Sequence, residues 1–257
     1  MGRPVLLMRL EGVWQAWGTR ARWDVRDTQL EPTKSGVVGL LGCALGYPMH
    51  DVRLQDLAAS LRFGVRVESP GRVVQDYQTV SDFLPTAEGT YKLGNSRTVS
   101  SLDKARADSC ASPATIISPR YYLEDASFLV AMEQCDGGDL TLIECEQALL
   151  RPKWPVFLGR KACVPTRPVL EKLTTDYDDI EDALKRHPWS WMGAGADVTR
   201  KTNRPKTLVL WMEDESGSYV RQDSLRINPA RVYEFRHAKR LEIPWTEEMI
   251  ADVSIKT

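Results

Sequence analysis

Six apolar segments follow one another in the order strand, helix, strand, strand, helix, strand, and this order constrains the fold more than any other feature. Short apolar or alternating runs predict strands, and longer amphipathic runs between capping residues predict helices. The segments are residues 4–11, 35–45, 61–68, 126–133, 140–150 and 207–213, with a further strand at 231–236. This order is typical of the ferredoxin-like or RRM-like fold. We therefore predict an α+β protein in which the strand at 61–68 has one wet face.

Two long segments interrupt the pattern and set the expected domains. Residues 77–120 are rich in Ser, Thr, Gly and basic side chains, among them Arg97 and Arg106, and an insertion of this length is usually functional or mobile. Residues 174–204 form the other interruption, in which 177–187 predicts a short helix. We expect a core at 1–169 with the insertion at about 77–120, and a β-rich C-terminal extension at 170–257 that completes or packs on the core.

The composition is that of a globular protein. Hydrophobic residues make up 42% and charged residues 27% of the 257 positions, which is enough for a sizeable core. The chain has no apolar run of about 18 residues, so no membrane-spanning helix is expected. Its five cysteines are widely spaced and lack a CxxC pair, so zinc binding is not expected. We expect a reduced, cytoplasmic protein with no cofactor, no metal and no membrane partner.

The charge is segregated along the chain. The net charge is −1, which by itself argues against nucleic-acid binding. Residues 151–172 nevertheless hold six basic residues against one acidic residue, whereas 124–146 hold seven acidic residues and no Lys or Arg. Such a chain can present a basic face while it stays neutral overall, although scattered solvated charge explains the pattern equally well.

The helix at 35–45 begins with features of an anion site. With Ser35 as the N-cap, Lys34 and the free N–H groups at the helix start suit a phosphate. Gly36, Gly39 and Gly42 recur every third residue, and each costs about 1 kcal/mol in a helix. They indicate that a sheet or a nucleic-acid strand approaches closely. The sequence lacks the Walker A and Rossmann patterns for nucleotide binding. One alternative is that the protein is a small-molecule enzyme and that this helix binds a phosphorylated ligand.

A glycine beside two cations marks the segment at 158–163. Gly159, Arg160 and Lys161 follow Pro155, which predicts a tight turn that presents charge to backbone phosphate, or else a solvated basic turn. Tryptophans 14, 17 and 23 stand among basic residues that include Arg26. Aromatic side chains that stack on bases and cations that pair with phosphates hold single-stranded RNA in this way. Most tryptophans are core residues, however, so we expect at most one of the three to touch RNA.

Catalysis has little support in the sequence. The three histidines are scattered, and no GxSxG, HExxH or paired-carboxylate motif is present. A metal-independent ribonuclease needs a general base near the scissile phosphate. His50 with Tyr47 is the only local pair that offers one. The acidic cluster at 176–179 is a weak metal candidate.

Five motifs in order resemble the CasD subunit family of the type I-E CRISPR complex Cascade, from about Leu6 to Pro168. From Leu170 onward the resemblance fades. The motifs are LLMRLEGVWQAWG, EPTKSGVVGLLGCALG, LRFGVRVESPGRVVQDYQTV, YYLEDASFLVAM and ALLRPKWPVFLGRKACVPTRP.

The resemblance implies an RRM-like (RAMP) fold with a β-hairpin thumb at 77–120. It implies a non-catalytic subunit that binds the 5′ handle of the CRISPR RNA, caps the filament of backbone CasC subunits and contacts the large CasA subunit. The thumb would lie near the target DNA. In the related type I-C branch the corresponding subunit is an endoribonuclease that processes precursor RNA with a tyrosine, a lysine and a histidine. No lysine–histidine pair stands in a matching position here, which favours the non-catalytic branch.

The resemblance also implies which residues contact the handle, and the basic and glycine positions noted above add four more. By motif the contacts are Gln15, Trp17, Gly18, Lys34, Ser35, Gly36, Tyr77, Thr79, Arg160 and Lys161. The residue pattern adds Arg26, Gly39, Arg97 and Arg106.

Overall fold

The computed structural model of the chain describes residues 2–19, 25–82, 84–86, 88–94, 97–109, 112–136, 138, 140–190, 205–246 and 249. The chain divides into two compact units, which are described separately. The first comprises Met1–Thr19, Thr28–Val74 and Tyr122–Thr257, and the second comprises Arg20–Asp27 and Gln75–Tyr121.

The described residues form thirteen strands and five helices. The strands are β1 (Val5–Glu11), β2 (Trp14–Gln15), β3 (Leu61–Ser69), β4 (Arg72–Asp82), β5 (Leu84–Pro85), β6 (Tyr91–Lys92), β7 (Thr98–Val99), β8 (Ala114–Glu124), β9 (Ser127–Gln134), β10 (Leu170–Thr174), β11 (Thr207–Glu213), β12 (Tyr219–Arg226) and β13 (Val232–Pro244). The helices are α1 (Lys34–Leu45), α2 (Arg53–Ser60), α3 (Leu102–Ala107), α4 (Leu140–Leu150) and α5 (Ile180–Arg186).

A seven-stranded sheet organises the first unit. Its strand order is β10-β1-β9-β3-β11-β13-β12, and each neighbouring pair is antiparallel. The protein is therefore a mixed α/β protein with mostly antiparallel sheets, as the sequence predicts. β10 to β13 come from the C-terminal third of the chain and extend this sheet at both of its edges.

Both faces of the sheet are covered, which explains the unbroken apolar run of β1. Leu6 and Met8 enter the core that holds the buried residues of α1 and α2. Val5 and Leu7 enter a second core with the apolar residues of α5. All seven residues of β1 are buried, because neighbouring side chains point to opposite faces of a strand.

Helix α1 begins one residue earlier than predicted, and its N-cap is Thr33. The Thr33 hydroxyl accepts a hydrogen bond from the Gly36 amide at 3.2 Å, so the prediction of Ser35 as the N-cap is wrong. Gly46 ends the helix in the left-handed conformation with φ +77°, which confirms the predicted end. A glycine tolerates this backbone geometry without steric cost.

Several other elements were predicted, and some were missed. The strands near residues 4–11, 61–68, 126–133 and 207–213 and the helix at 140–150 lie where expected. The helix predicted at 177–187 is shorter and comprises Ile180–Arg186, with Asp179 as its N-cap. The strand predicted at 231–236 extends to Pro244. Helix α2 and strands β10 and β12 were not predicted. Most of the second half of the predicted interruption at 174–204 lies outside the described residues.

The predicted wet face of β3 is wrong. The Arg66 side chain is fully buried, and its guanidinium donates to Glu68 of the same strand. The alternation of basic and apolar residues in this strand therefore reflects an internal ion pair.

The second unit contains most of the long insertion. β5, β6 and β7 form a small sheet in that order, and α3 follows it with Ser101 as the N-cap. β4 and β8 are long strands of eleven residues each, and they belong to a three-stranded sheet with the order β2-β8-β4. The parts of β4 and β8 within residues 75–82 and 114–121 belong to this unit.

Candidate nucleic-acid interface

The loop at 158–163 is the tight turn that the sequence predicts. The Cys163 amide donates to the Arg160 carbonyl oxygen, and the Leu158 amide donates to the Cys163 carbonyl oxygen, both at 2.8 Å. These bonds close the loop on itself. The Arg160 side chain is half-buried and that of Lys161 is exposed, so the turn presents the Lys161 side chain fully to solvent and that of Arg160 in part.

Gly159 fixes this turn against the segment that follows β1. Its φ is +88°, and a Cβ built on it would lie 1.7 Å from the Ala16 carbonyl oxygen. The Ala16 amide donates to the Leu158 carbonyl oxygen at 3.1 Å. Only glycine permits both the backbone conformation and the close approach, so the position of the two cations depends on this residue.

Gln15 and Trp17 shape the partner segment from inside the protein. The Gln15 side-chain amide donates to the Leu10 and Ala126 carbonyl oxygens at 3.1 and 2.7 Å. Its oxygen accepts from the Trp17 indole N–H at 3.0 Å. Trp17 is 1% exposed, so the expectation that it stacks on an RNA base is wrong for this structure. Both side chains instead hold the backbone that leads to the exposed Gly18.

Helix α1 shows one stripe of small residues at the surface. Ser35, Gly36, Gly39 and Cys43 are half-buried, whereas most other positions of the helix are buried. A Cβ at Gly36 would meet the Trp17 ring at 2.9 Å, but a Cβ at Gly39 would meet nothing within 4 Å. The protein itself thus explains why Gly36 is small, and it leaves open space above Gly39.

The predicted phosphate site at the start of α1 is filled by side chains of the protein. The Lys34 amide donates to the Asp223 carboxylate at 2.8 Å, and the Lys34 ammonium bonds to both oxygens of Glu213 at 2.8 and 3.0 Å. Lys34 is 5% exposed. The expectation that Lys34 binds phosphate is therefore wrong, because an internal carboxylate already uses the helix start and a second one neutralises the ammonium.

The two loop cations lie beside aromatic and helical neighbours. The Arg160 guanidinium lies over the Tyr122 ring, 4.7 Å from its centroid. Burial raises the pKa of the Cys43 thiol, and the nearby ammonium of Lys161 lowers this pKa in part. The ammonium of Lys161 therefore acts on Cys43, which belongs to the half-buried stripe of α1 and lies one turn after Gly39.

The remaining predicted contacts lie in the second unit. Tyr77 and Thr79 are exposed on the same face of β4, and Tyr77 is 64% exposed. The Nη2 atom of Arg97 lies 3.5 Å from Oδ2 of Asp108 at the surface. The last two, Arg26 and Arg106, have exposed side chains, and the Arg26 carbonyl accepts from the Tyr121 amide at 2.8 Å.

A buried charge cluster in the first unit was missed by sequence reasoning. Arg9 and Arg66 both bond to Oε1 of Glu68 at 2.6 Å, and Arg9 also pairs with Glu171 at 3.4 Å. His187 lies between Glu171, at 3.3 Å, and the Tyr177 hydroxyl, at 3.0 Å. The signal in the sequence was Arg9 in the middle of an apolar strand, because a charge in such a place needs a buried partner.

The histidine nominated for RNA cleavage is exposed. His50 lies in the loop after α1, and the Tyr47 ring lies under the Arg53 guanidinium, with 4.0 Å between the guanidinium carbon and the ring centroid. Among the described residues no group of three or more His, Cys, Asp or Glu side chains could hold a metal ion. The described helices also include none that is long and apolar enough to span a bilayer.

Comparison with solved structures gives the class of the protein. A chain described as "Crystal structure of Cas protein" is 32% identical, with a TM-score of 0.64, over 96% of this chain and 97% of the other. A chain from a "CRISPR RNA-guided surveillance complex" is 26% identical, with a TM-score of 0.67, over 96% and 93%. The fold and its antiparallel sheet are thus those of a CRISPR-associated protein.

Sequence comparison narrows this class. The family model described as CRISPR-associated protein (Cas_Cas5) matches residues 5–238. The Escherichia coli (strain K12) protein "CRISPR system Cascade subunit CasD" is 35% identical over 170 residues, which are 65% of this chain and 70% of that protein. The chain belongs to the CasD family of type I-E Cascade. The family match extends well beyond Leu170, where the resemblance read from the sequence faded.

Proposed function

We propose that this chain is the Cascade subunit that binds the 5′ handle of the CRISPR RNA without cutting it. The observation that carries the proposal is the turn at 158–163. Gly159 packs closely against Ala16 and so fixes the position of this turn. The turn presents Arg160 and Lys161, and Lys161 acts on Cys43 in the small-residue stripe of α1. Cations on a fixed turn bind backbone phosphates, and small residues on a helix let a strand of RNA approach closely.

The strand order supports the RAMP interpretation. Within the seven-stranded sheet, β10, β1, β9 and β3 are adjacent in that order. We count them as the four strands of a β-α-β-β-α-β unit, with α1 and α4 as its helices, and their sequence ranks are then four, one, three and two. The fourth strand is β10 and not the predicted strand at 207–213, which is β11 and lies on the other side of β3. This antiparallel arrangement is the one expected of a ferredoxin-like domain. The larger segment of the second unit, Gln75–Tyr121, lies in the sequence between β3 and β9, which is where the resemblance implies a thumb.

The family relationship supports the assembly role. As a member of the CasD family, the chain is proposed to cap the filament of backbone CasC subunits and to contact the large CasA subunit. The exposed residues Tyr77, Thr79, Arg97 and Arg106 of the second unit are proposed to face the RNA or the target DNA, because exposed aromatic and cationic side chains stack on bases and pair with phosphates. A precursor-cutting role, as in the type I-C branch, has no observation in its favour. The nominated Tyr47 is engaged by Arg53.

The experiment measures binding and cleavage of a labelled CRISPR RNA that carries the host's own 5′ handle. The full-length chain is incubated with this RNA, with an RNA of scrambled handle and with uncut repeat RNA in EDTA. We expect tighter binding of the correct handle and intact repeat RNA. Specific cleavage at the handle boundary, or equal binding of both RNAs, contradicts the proposal.

A double variant assigns the binding to the turn. Arg160→Ala/Lys161→Ala is expected to reduce the salt slope of RNA binding by about 0.7 for each phosphate contact that is lost. The matched control is Lys185→Ala/Arg186→Ala, which removes two adjacent cations from α5 that pair with Glu181 and Asp182. The control should retain the affinity and the salt slope of the unmodified chain.

A further inference from the structure

The short strand β2 brings an indole and a phenol ring together beside the basic turn. β2 pairs with the end of β8 so that Gln15 lies opposite Leu123 and Trp14 lies opposite Glu124. Side chains two residues apart on a strand share a face, so Trp14 and Tyr122 are diagonal neighbours. Their ring centroids are 4.8 Å apart and their planes differ by 25°, which is a stacked arrangement.

The Tyr122 ring contacts the Arg160 guanidinium as well. The guanidinium carbon lies 4.7 Å from the Tyr122 centroid, and Tyr122 is 1% exposed. An aromatic ring attracts a cation that lies over its face. The ring is a fixed platform, because it is buried and stacked on Trp14.

The backbone of the turn is held independently of this stack. The Cys163 amide donates to the Arg160 carbonyl oxygen, and Gly159 contacts Ala16. The backbone contacts therefore fix the Cα of Arg160, and the aromatic stack fixes the end of its side chain. A long side chain that is held at both ends loses less rotamer freedom when it binds an anion, and this preorganisation increases affinity.

We propose that Tyr122, supported by Trp14, is a positioning residue that holds the Arg160 guanidinium ready for a phosphate of the bound RNA. The proposal rests on the proposed function, since the ligand of Arg160 is the 5′ handle. It adds a buried aromatic pair to the residues that determine handle binding, although neither ring need touch the RNA. It also explains why an aromatic residue stands next to the turn's cation at a position that any apolar residue could fill as core.

The test is a double-mutant cycle on the full-length chain with the labelled handle RNA. Tyr122→Leu removes the platform but keeps an apolar side chain, and we expect about fivefold weaker binding and a smaller salt slope. Tyr122→Phe keeps the ring and should restore both. On the Arg160→Ala background, Tyr122→Leu should cause no further loss. Tyr233→Leu is the matched control, because Tyr233 lies under Arg231, 5.9 Å away, on β13.

The outcomes separate the two proposals. If Arg160→Ala weakens binding but Tyr122→Leu does not, or if the two losses simply add, the positioning role is overturned and the proposed function stands. If the unmodified chain does not prefer the correct handle, the proposed function fails and the positioning role fails with it. Should Tyr122→Leu not fold, as judged by circular dichroism, Trp14→Leu removes the support from the same stack. Unchanged binding by that variant also overturns the proposal.

Discussion

The Nη1 atom of Arg9 lies 2.6 Å from Oε1 of Glu68 inside the first unit, where both side chains are excluded from solvent. The same oxygen also accepts from Nη2 of Arg66 at 2.6 Å, so two guanidiniums share one carboxylate. Backbone carbonyls at the end of α5 offset the remaining positive charge. Arg66 donates to the Leu184 and His187 carbonyl oxygens at 2.7 and 2.8 Å, where the negative end of the helix dipole lies.

This geometry predicts that Glu68 contributes more to stability than either arginine. Glu68→Gln leaves the buried Arg66 without its carboxylate and leaves Arg9 with only the longer contact to Glu171 at 3.4 Å, so we expect a loss of about 3–5 kcal/mol in the free energy of unfolding. Arg9→Met should cost less, because Arg66 still pairs with Glu68. Urea denaturation measures both. The control Asp51→Asn breaks the surface pair between Asp51 and Arg53 and should cost far less stability than Glu68→Gln. An equal loss in all three variants contradicts the prediction.

The neighbouring pair of His187 and Glu171 predicts acid sensitivity. Burial lowers the pKa of His187 below its ordinary 6.5, despite the opposing hydrogen bond with Glu171. The hydrogen bond from His187 lowers the pKa of Glu171 from 4.5 to about 2, with Arg9 and Arg167 contributing. Both shifts favour the deprotonated forms in the folded state. The contribution of this pair to stability is therefore complete above pH 6.5. It decreases below pH 6.5, because the unfolded state binds a proton at His187 more readily than the folded state does. It decreases again between pH 4.5 and 2, where Glu171 is protonated.

The measurement is the melting temperature from pH 8 to pH 5 at constant ionic strength. We expect a decline below pH 6.5 that His187→Gln flattens. His237→Gln serves as the control, because His237 is exposed on β13 and should leave the profile unchanged. A decline that persists in the His187 variant assigns the acid sensitivity to other groups.

Local patterns were enough to predict much of the fold, and long-range contacts explain what they missed. The apolar runs of β1 and β9 and the capping glycine of α1 were readable, because burial and backbone conformation leave a local signature. Strand β12 was missed because it lies at the sheet edge with few buried residues. Helix α2 was missed because its eight residues offer only a short apolar face.

The site was partly predictable for the same reason. The turn around Gly159 was visible, since glycine beside two cations is a local signal. The partners of Lys34 were not visible, because Asp223 and Glu213 are about 180 residues away in the sequence. The family motif implies that Trp17 contacts RNA, and nothing in the sequence shows that Gln15 accepts a hydrogen bond from its indole N–H.

The close approach at Gly159 predicts a large effect of a single methyl group. In Gly159→Ala the new Cβ overlaps the Ala16 carbonyl oxygen, so the turn must move and RNA binding should weaken along with stability. Gly89→Ala is the matched control. Gly89 has a similar φ of +76° with nothing within 4 Å of its Cβ position, so only the backbone strain of about 1–2 kcal/mol applies. Equal destabilisation of both variants, measured by denaturation, would show that the contact with Ala16 is unimportant.

The open space above Gly39 predicts opposite effects on stability and RNA binding. Alanine is favoured over glycine in a helix by about 1 kcal/mol, and the Cβ at this position meets nothing in the protein. Gly39→Ala should therefore raise the free energy of unfolding. If the RNA backbone lies on the small-residue stripe of α1, the same methyl group should weaken binding of the handle RNA several-fold.

The comparison variant for Gly39 is Gly42→Ala in the same helix. Its Cβ would lie 2.2 Å from a methyl carbon of Leu54, so packing between α1 and α2 should suffer and stability should fall by about 1–3 kcal/mol. Because Gly42 is buried, RNA binding by the folded fraction should not change. A Gly39→Ala protein that is more stable and binds the handle as tightly as before would remove α1 from the interface, and the turn at 158–163 would remain the part of the first unit proposed to contact the RNA.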